Sequence, residues 1–274
     1  MKLPRMSSRG VTLLELLIVM MILSIILTAA VKTWDVTLER GRFESTRRRL
    51  DQLAGVIVGN PDYTVAGQRV DFGYIGDLGK LPDSLSDLVQ DHTGLAHDSS
   101  GWRGPYIRAT FNESPEGYRT DAWGDTIAYN RDSLFVRSYG GYGLADRSKW
   151  ITRRFSYTKK ELTGNEVTGQ MLDVHGNPPP SDSIVLHPLR FGVILDYPIN
   201  GKVRSVKAPI DINGQFDFIA VPQGTYPLRV YYFEDVPPPS KAETTLKYIT
   251  VYPGIGARDL QMRVNVDWEI GLHQ

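Results

Sequence analysis

An uninterrupted apolar run near the N-terminus constrains the fold of this chain more than any other feature. Residues 11–31 read VTLLELLIVMMILSIILTAAV, and its non-apolar members are Thr12, Glu15, Ser24 and Thr28. As an α-helix the run would reach about 30 Å, the thickness of the hydrocarbon core of a bilayer. It contains neither Gly nor Pro. The sequence therefore predicts a transmembrane helix over residues 11–31.

A short basic segment precedes this run. Lys2, Arg5 and Arg9 favour a cytoplasmic N-terminus, so we expect a single-pass inner-membrane protein with periplasmic or extracellular globular domains. A secretory signal peptide would have a shorter, uncharged apolar core. A buried core helix is rarely apolar over such a length. A plain membrane anchor explains the length, but it does not explain Glu15.

Glu15 is the residue that separates an anchor from a functional helix. A carboxylate in hydrocarbon costs about 2.5 kcal/mol or more, so a retained one indicates a function and a partner. If the chain were cut after Gly10, Val11 would carry a free α-amino group. That positive charge would lie near Glu15 of its own helix or of a neighbouring copy.

The segment Arg9–Glu15, R-G-V-T-L-L-E, resembles the signature of prepilins. The resemblance implies cleavage after Gly10 by a membrane-embedded prepilin peptidase and methylation of Val11. It also implies that Glu15 pairs with the N-terminal amine of an adjacent subunit. The implied partners are the prepilin peptidase, this and other pilin-like subunits, an inner-membrane assembly platform and membrane lipid. Val11 departs from the family, which usually has Phe there.

The helix is expected to continue to residue 59 and to end at Gly59-Asn60-Pro61. After Lys32 it becomes amphipathic, with an apolar stripe from Trp34 and Leu38 to Val58. A group of arginines within residues 40–49 could indicate nucleic-acid binding. Acidic residues are interspersed among them and the net charge of the chain is zero, so we interpret the group as a solvated helix face.

Residues 60–151 are expected to form a small α+β domain. Residues 127–129 and 134–137 read as two strands of a hairpin around Asn130. G-P-Y at 104–106, D-A-W-G at 121–124 and S-Y-G at 138–140 resemble the major pseudopilins of type II secretion. That family often binds calcium in the last loop. Here Gly141-Tyr142 stands where an Ala-Asp pair is usual, so we assign no metal site or cofactor and leave calcium as the alternative.

The remainder of the chain reads as a polar linker, residues 152–165, and an all-β unit, residues 166–274. Turn clusters, among them Asn213-Gly214, separate seven short runs typical of strands. These runs are 167–173, 183–186, 209–212, 215–218, 228–232, 246–251 and 259–264. Their wording resembles the carboxypeptidase regulatory-like, or transthyretin-like, β-sandwich, which implies a structural or interaction module. The fold class is therefore α+β, with a long helix, a small pilin-like domain and a seven-stranded sandwich.

The motifs favour a structural role over catalysis. The chain has no cysteine, no H-E-x-x-H, no P-loop and no G-x-S-x-G. The favoured hypothesis is a subunit of a type II secretion pseudopilus or a type IV pilus-like filament, with a leader at residues 1–10. The alternative is a membrane-anchored binding or adhesion module that uses the C-terminal sandwich.

Overall fold

A computed structural model describes residues 13–95, 101–107, 116–233 and 242–268. Its first element is helix α1, Leu13–Val58. The residue after the helix is Gly59, whose φ of 80° lies in the left-handed region that favours glycine. A Cβ at Gly59 would lie 2.4 Å from the carbonyl oxygen of Asp71. The prediction of one long N-terminal helix is confirmed.

Helix α1 has an exposed N-terminal part and a packed C-terminal part. Every residue from Leu13 to Glu44 is exposed. The stripe predicted to start at Trp34 is therefore wrong in its first part, because Trp34 and Leu38 are 68% and 45% exposed and the buried face begins at Thr46. The buried face consists of Thr46, Leu50, Leu53, Ala54 and Ile57, which recur with the i, i+3, i+4 pattern of one helix face.

A small α+β domain packs against that buried face. It contains helix α2 (Gly73–Leu78), the strand pair β1 (Thr64–Val65) and β2 (Gln68–Arg69), and a sheet of β3 (Ala128–Asn130), β4 (Phe135–Ser138) and β5 (Ile151–Arg154). The sheet is antiparallel in the order β3-β4-β5, so the predicted hairpin around Asn130 is confirmed. Short 3₁₀ helices lie at Leu85–Leu88, Gly117–Arg119 and Arg147–Lys149. The core joins residues of α1, α2 and the sheet, among them Leu53, Ile57, Ile75, Leu78, Leu134 and Val136.

The segment interpreted as a linker, residues 152–165, contains regular structure. It includes most of β5 and helix α3 (Lys159–Thr163), and β6 begins at its end. Thr158 caps α3, and its Oγ1 accepts a hydrogen bond from the amide of Glu161 at 3.3 Å. The first residues of this segment are polar because Thr152, Arg153 and Arg154 lie exposed on an edge strand.

Two sheets packed face to face form the C-terminal unit. One has the order β11-β10-β7-β8 and the other β12-β6-β9. The pair β6–β12 is parallel, and the remaining pairs are antiparallel. The prediction of a seven-stranded sandwich is confirmed. The strands are β6 (Asn165–Leu172), β7 (Phe191–Ile199), β8 (Lys202–Ala208), β9 (Gln215–Val221), β10 (Gly224–Phe233), β11 (Ala242–Val251) and β12 (Ala257–Arg263).

Two of the seven predicted strands are wrong. Residues 183–186 lie in helix α4 (Ser181–Leu186), because Pro180 and an acidic first turn favour a helix start over a strand. A 3₁₀ helix, Pro188–Arg190, follows it. Residues 209–212 lie in the connection between β8 and β9, which ends in a turn where Asp211 Oδ1 accepts hydrogen bonds from the amides of Asn213 and Gln215 at 2.9 and 2.7 Å. This turn leads from one sheet to the other, so Asn213-Gly214 closes no hairpin.

Strands β7 and β8 are the two strands of the sandwich that the sequence did not predict. They form an antiparallel hairpin, and their registered pairs run from Val193–Ala208 to Ile199–Lys202. The turn is Asn200-Gly201, with φ values of 51° and 87°, as a two-residue hairpin with both central φ positive requires. The chain has two Asn-Gly dipeptides in this unit, and this one closes the hairpin.

Candidate functional site

The predicted assembly residue, Glu15, lies in the first described turn of α1 and is exposed. The predicted processing residues, Gly10 and Val11, lie outside the described residues. Leucines surround Glu15 along the helix, and the side chains of Leu14, Leu16 and Leu17 are 57–68% exposed. The carboxylate is thus presented on a helix surface that is otherwise apolar.

Two hydroxyl groups within the apolar helix bond to carbonyls of the same helix. Ser24 Oγ donates to the carbonyl of Met20 and Thr28 Oγ1 donates to that of Ser24, both at 2.8 Å. Bonds of this kind satisfy a hydroxyl inside a membrane helix without an external partner. Among the described residues, α1 is the one helix long and apolar enough to cross a membrane, and its most apolar window is fully exposed.

The arginine-rich part of α1 is balanced by acids within the protein. Glu39 accepts a hydrogen bond from Arg42 Nη1 at 3.1 Å, and its Oε2 lies 3.3 Å from the indole nitrogen of Trp123. Arg153 of β5 contacts Asp51 at 2.9 Å. The contacts of Trp123 and Arg153 join α1 to the globular domain, and the pairing of Arg42 with Glu39 supports the interpretation as a solvated helix face.

The loop after β4, residues 139–150, is the segment in which the family resemblance implied calcium. Asp146 is its one carboxylate, and Oδ1 of Asp146 accepts bonds from the Ser148 amide and hydroxyl at 2.9 and 2.6 Å. Nearby Asp121 is buried and accepts bonds from the amides of Trp123 and Asp125 and from the hydroxyl of Ser138.

Calcium takes six to eight oxygen ligands, usually with several carboxylates. Among the described ranges, no group of three or more Asp, Glu or His side chains could hold a metal ion. Because Asp146 is the loop's one carboxylate and the oxygens of Asp121 already accept internal hydrogen bonds, the donor set does not fit a calcium site.

The sandwich and the pilin-like domain meet at the C-terminal end of α1. Gln223, in the turn between β9 and β10, is fully buried. Its Nε2 donates to the carbonyl of Val58 at 2.7 Å and to that of Phe72 at 3.2 Å. Arg69 Nη2 donates to the same Val58 carbonyl at 2.6 Å. The carbonyls at the end of a helix have no partner within it, and here the other domain supplies one.

Further contacts extend this junction along α2 and α3. Tyr226 Oη donates to the carbonyl of Gly76 at 3.1 Å. The amide of Gly201 donates to the carbonyl of Leu78, and that of Gln223 to Leu162, both at 2.8 Å. At Gly79 the backbones approach so closely that a Cβ would lie 2.0 Å from the carbonyl oxygen of Pro198. The turns β7–β8 and β9–β10 thus hold the sandwich to the pilin-like domain.

Buried titratable groups lie next to this junction. Burial raises the pKa of Asp77 in α2, although the hydrogen bond from Tyr106 Oη at 2.8 Å opposes that rise. Burial and the neighbouring Asp77 also raise the pKa of Tyr106 and of Tyr226 above the ordinary range of a phenol. Both phenols therefore remain neutral donors at the junction.

Gln223 and Arg69 were not predicted from the sequence. Gln223 lies between two apolar strands in Pro222-Gln223-Gly224, which reads as an ordinary exposed turn. Its role depends on the end of a helix 165 residues away in the chain. The alternation of apolar and polar residues reports which face of a strand is buried, and it carries no information about contacts between domains.

Two comparisons of the sequence with known proteins each found a match. The family model described as the prokaryotic N-terminal methylation motif matches residues 5–31. The type II secretion system core protein G of Xanthomonas campestris pv. campestris is 30% identical over 125 residues. The match covers 46% of this chain and 70% of that protein.

Solved structures match part of the chain weakly. A candidate carbohydrate-binding protein from Pseudomonas aeruginosa has 15% identity, 38% coverage of this chain, 90% coverage of its own and a TM-score of 0.25. A DUF3823 family protein from Parabacteroides merdae has 12% identity, coverages of 38% and 47%, and a TM-score of 0.27. Likenesses at this level carry no argument about function.

Proposed function

Because the chain belongs to the pseudopilin-like family of type II secretion core protein G, we propose that it is a structural subunit of a secretion pseudopilus or a related type IV pilus-like filament. It is processed after Gly10 by a prepilin peptidase, methylated at Val11 and assembled through its N-terminal helix. Its role is structural and not enzymatic, and its partners are other copies, related subunits and an inner-membrane assembly platform.

The observation that carries the proposal is the exposed carboxylate of Glu15 on an apolar helix. In hydrocarbon this charge costs about 2.5 kcal/mol or more. Cleavage after Gly10 creates a compensating positive charge, the α-amino group of Val11. In an assembled filament the amine of one subunit neutralises Glu15 of the next, so assembly offsets the cost and fixes the stagger of neighbouring helices.

The proposed topology follows from the residues that flank the apolar helix. Lys2, Arg5 and Arg9 favour a cytoplasmic N-terminus, which sends the globular domains to the other side of the inner membrane. Beyond the apolar run, Trp34 is 68% exposed, and exposed tryptophans suit the water interface of a bilayer. Before assembly, membrane lipid surrounds the exposed apolar residues.

A second candidate function is supported by the outer face of the sheet β11-β10-β7-β8. Leu246 and Tyr248 on β11 are 53% and 66% exposed, and Tyr231 and Phe233 on β10 make an edge contact at 5.3 Å. Aromatic side chains are enriched at recognition surfaces. In this hypothesis the sandwich binds a ligand and α1 is only a tether, so Glu15 is dispensable.

Replacement of Glu15 tests the two hypotheses. We expect Glu15→Ala to remain in the membrane fraction but to be absent from sheared or cross-linked filaments, because the charge that pairs subunits is lost. Thr28→Ala is the matched control, since Thr28 is polar, lies on the same helix and donates to the carbonyl of Ser24 in that helix. Assembly of Glu15→Ala at the wild-type level would overturn the pairing mechanism and favour the tether.

A further inference from the structure

The loop of residues 139–150 is organised around one aromatic side chain, Trp150. The indole nitrogen of Trp150 donates to the carbonyl of Gly143 at 2.9 Å and so closes the loop on itself. The ring of Tyr139 meets the indole edge-on, with centroids 5.3 Å apart. A carbonyl in the middle of the loop is therefore bound by a side chain at its end.

Cationic side chains cover the same indole. The guanidinium carbon of Arg137 lies 4.6 Å from the Trp150 ring and 4.3 Å from that of Phe135. Arg147 contacts the Trp150 ring at 5.5 Å. Arg137 Nε also donates to Thr152 Oγ1 at 2.8 Å, which fixes the guanidinium over the rings. Attraction between a cation and the face of an aromatic ring holds these groups together.

Tyr142 stands where the resembling family usually has an aspartate, and its ring faces Lys149 Nζ at 5.5 Å. The loop and the strand before it thus bring Arg137, Arg147 and Lys149 to a segment whose one carboxylate is Asp146. Charges of the same sign repel, so these three cations oppose the entry of a divalent cation into the loop.

We propose that residues 139–150 form a metal-independent lock. In it Trp150, Arg137 and Arg147 hold the loop in its fold, in place of the calcium that the resembling family often binds there. The lock fastens the end of β4 to the start of β5, because Arg137 pairs in register with Thr152, and Ser138 with Ile151, the residue that follows Trp150. Folding of this domain, and assembly of the filament, therefore need no calcium.

Thermal unfolding of the full chain in detergent micelles tests the lock in two arms. In the first, the wild-type protein is measured in excess EGTA and in millimolar calcium chloride. The lock predicts equal unfolding temperatures, whereas an ion that binds the folded state would raise the temperature by several degrees. A rise in calcium, with a fall in EGTA, overturns the proposal.

The second arm compares substitutions of aromatic residues. Trp150→Leu removes both the ring and the indole donor and should lower the unfolding temperature by several degrees, with no rescue by calcium. Trp150→Phe keeps a ring for the arginines and should recover part of the loss. Tyr157→Leu is the control, because Tyr157 is 85% exposed. If Trp150→Leu unfolds at the control's temperature, the lock is wrong, and if Trp150→Leu does not fold, the wild-type calcium arm still decides.

Discussion

The side-chain amide of Gln223 donates a 2.7 Å hydrogen bond to the carbonyl of Val58, the last residue of the long helix. This bond joins the turn between β9 and β10 to the C-terminal end of α1. The proposed assembly residue, Glu15, lies near the other end of the same helix. Because Gln223 is fully buried and the contact continues along α2, the sandwich is held against the pilin-like domain. A filament built from this subunit would carry every sandwich in one orientation.

The first prediction concerns that bond. Gln223→Glu replaces the donor by a carboxylate oxygen facing two carbonyls, so at neutral pH it should lower the free energy of unfolding by about 3 kcal/mol. Hydrogen–deuterium exchange should report where the loss occurs. We expect faster exchange at the amides of Gly201 and Gln223, which donate to Leu78 and Leu162 across the junction.

Gln52→Glu is the matched control for Gln223→Glu. It makes the same chemical change on an exposed face of α1 and should leave both stability and exchange close to wild type. At acid pH the new carboxyl at residue 223 becomes protonated and regains a donor, so part of the loss should be recovered. Wild-type exchange at Gly201 in Gln223→Glu at neutral pH would show that this bond does not hold the junction.

The second prediction separates backbone strain from collision at two glycines. Gly67 and Gly79 have φ values of 79° and 65°, so alanine at either position costs about 1–2 kcal/mol. At Gly67 a Cβ meets nothing within 4 Å, but at Gly79 it would lie 2.0 Å from Pro198 O. We expect Gly79→Ala to be more destabilising than Gly67→Ala by a further 1–3 kcal/mol or so in urea unfolding. Equal losses would mean that the two domains are not in tight contact at Gly79.

The third prediction is a dependence of stability on pH through Asp87. Burial would raise the pKa of Asp87, but hydrogen bonds from His92 and from the amide of Asp83 hold it below its ordinary value. A lowered folded-state pKa stabilises the protein above the unfolded pKa of about 4, and this stability is lost as the pH falls through the folded pKa. At pH 7, Asp87→Asn should lower the free energy of unfolding by about 1.5–3 kcal/mol.

The difference in free energy of unfolding between wild type and Asp87→Asn should shrink steadily as the pH is lowered below about 4. The wild-type carboxyl then binds a proton, first in the unfolded and then in the folded protein. Asp62→Asn, an exposed aspartate of the same domain, should show a small difference at every pH. Urea unfolding followed by circular dichroism gives both curves. A difference for Asp87→Asn that stays constant down to pH 2 or so would exclude the charge as its cause.

The sequence predicted the elements whose signals are local. The long helix, its end at Gly59 and the hairpin of β3 and β4 follow from apolar periodicity and turn residues. The apolar run at residues 183–186 was assigned to a strand because a short run fits a helix and a strand equally well. The two Asn-Gly dipeptides are locally alike, and only the pairing of β7 with β8 shows that Asn200-Gly201 closes the hairpin.

The residues of the candidate site also differ in whether the sequence gives a local signal for them. Glu15 stays a prediction from the sequence, made because a carboxylate within an apolar run is a local anomaly. Gln223 could not be predicted, because its partners Val58 and Phe72 are more than a hundred residues away in the chain. Trp150 was missed for a related reason, since its indole is covered by Arg137 only when β4 and β5 pair.

The most direct test of the filament proposal is the N-terminus of the mature protein. Full-length protein is expressed together with a prepilin peptidase, purified from membranes and analysed by intact mass and N-terminal peptide mass spectrometry. The account predicts a chain that begins at Val11 and carries a methyl group on its α-amine. A chain that retains residues 1–10 while the peptidase processes a known prepilin in the same cells would contradict it.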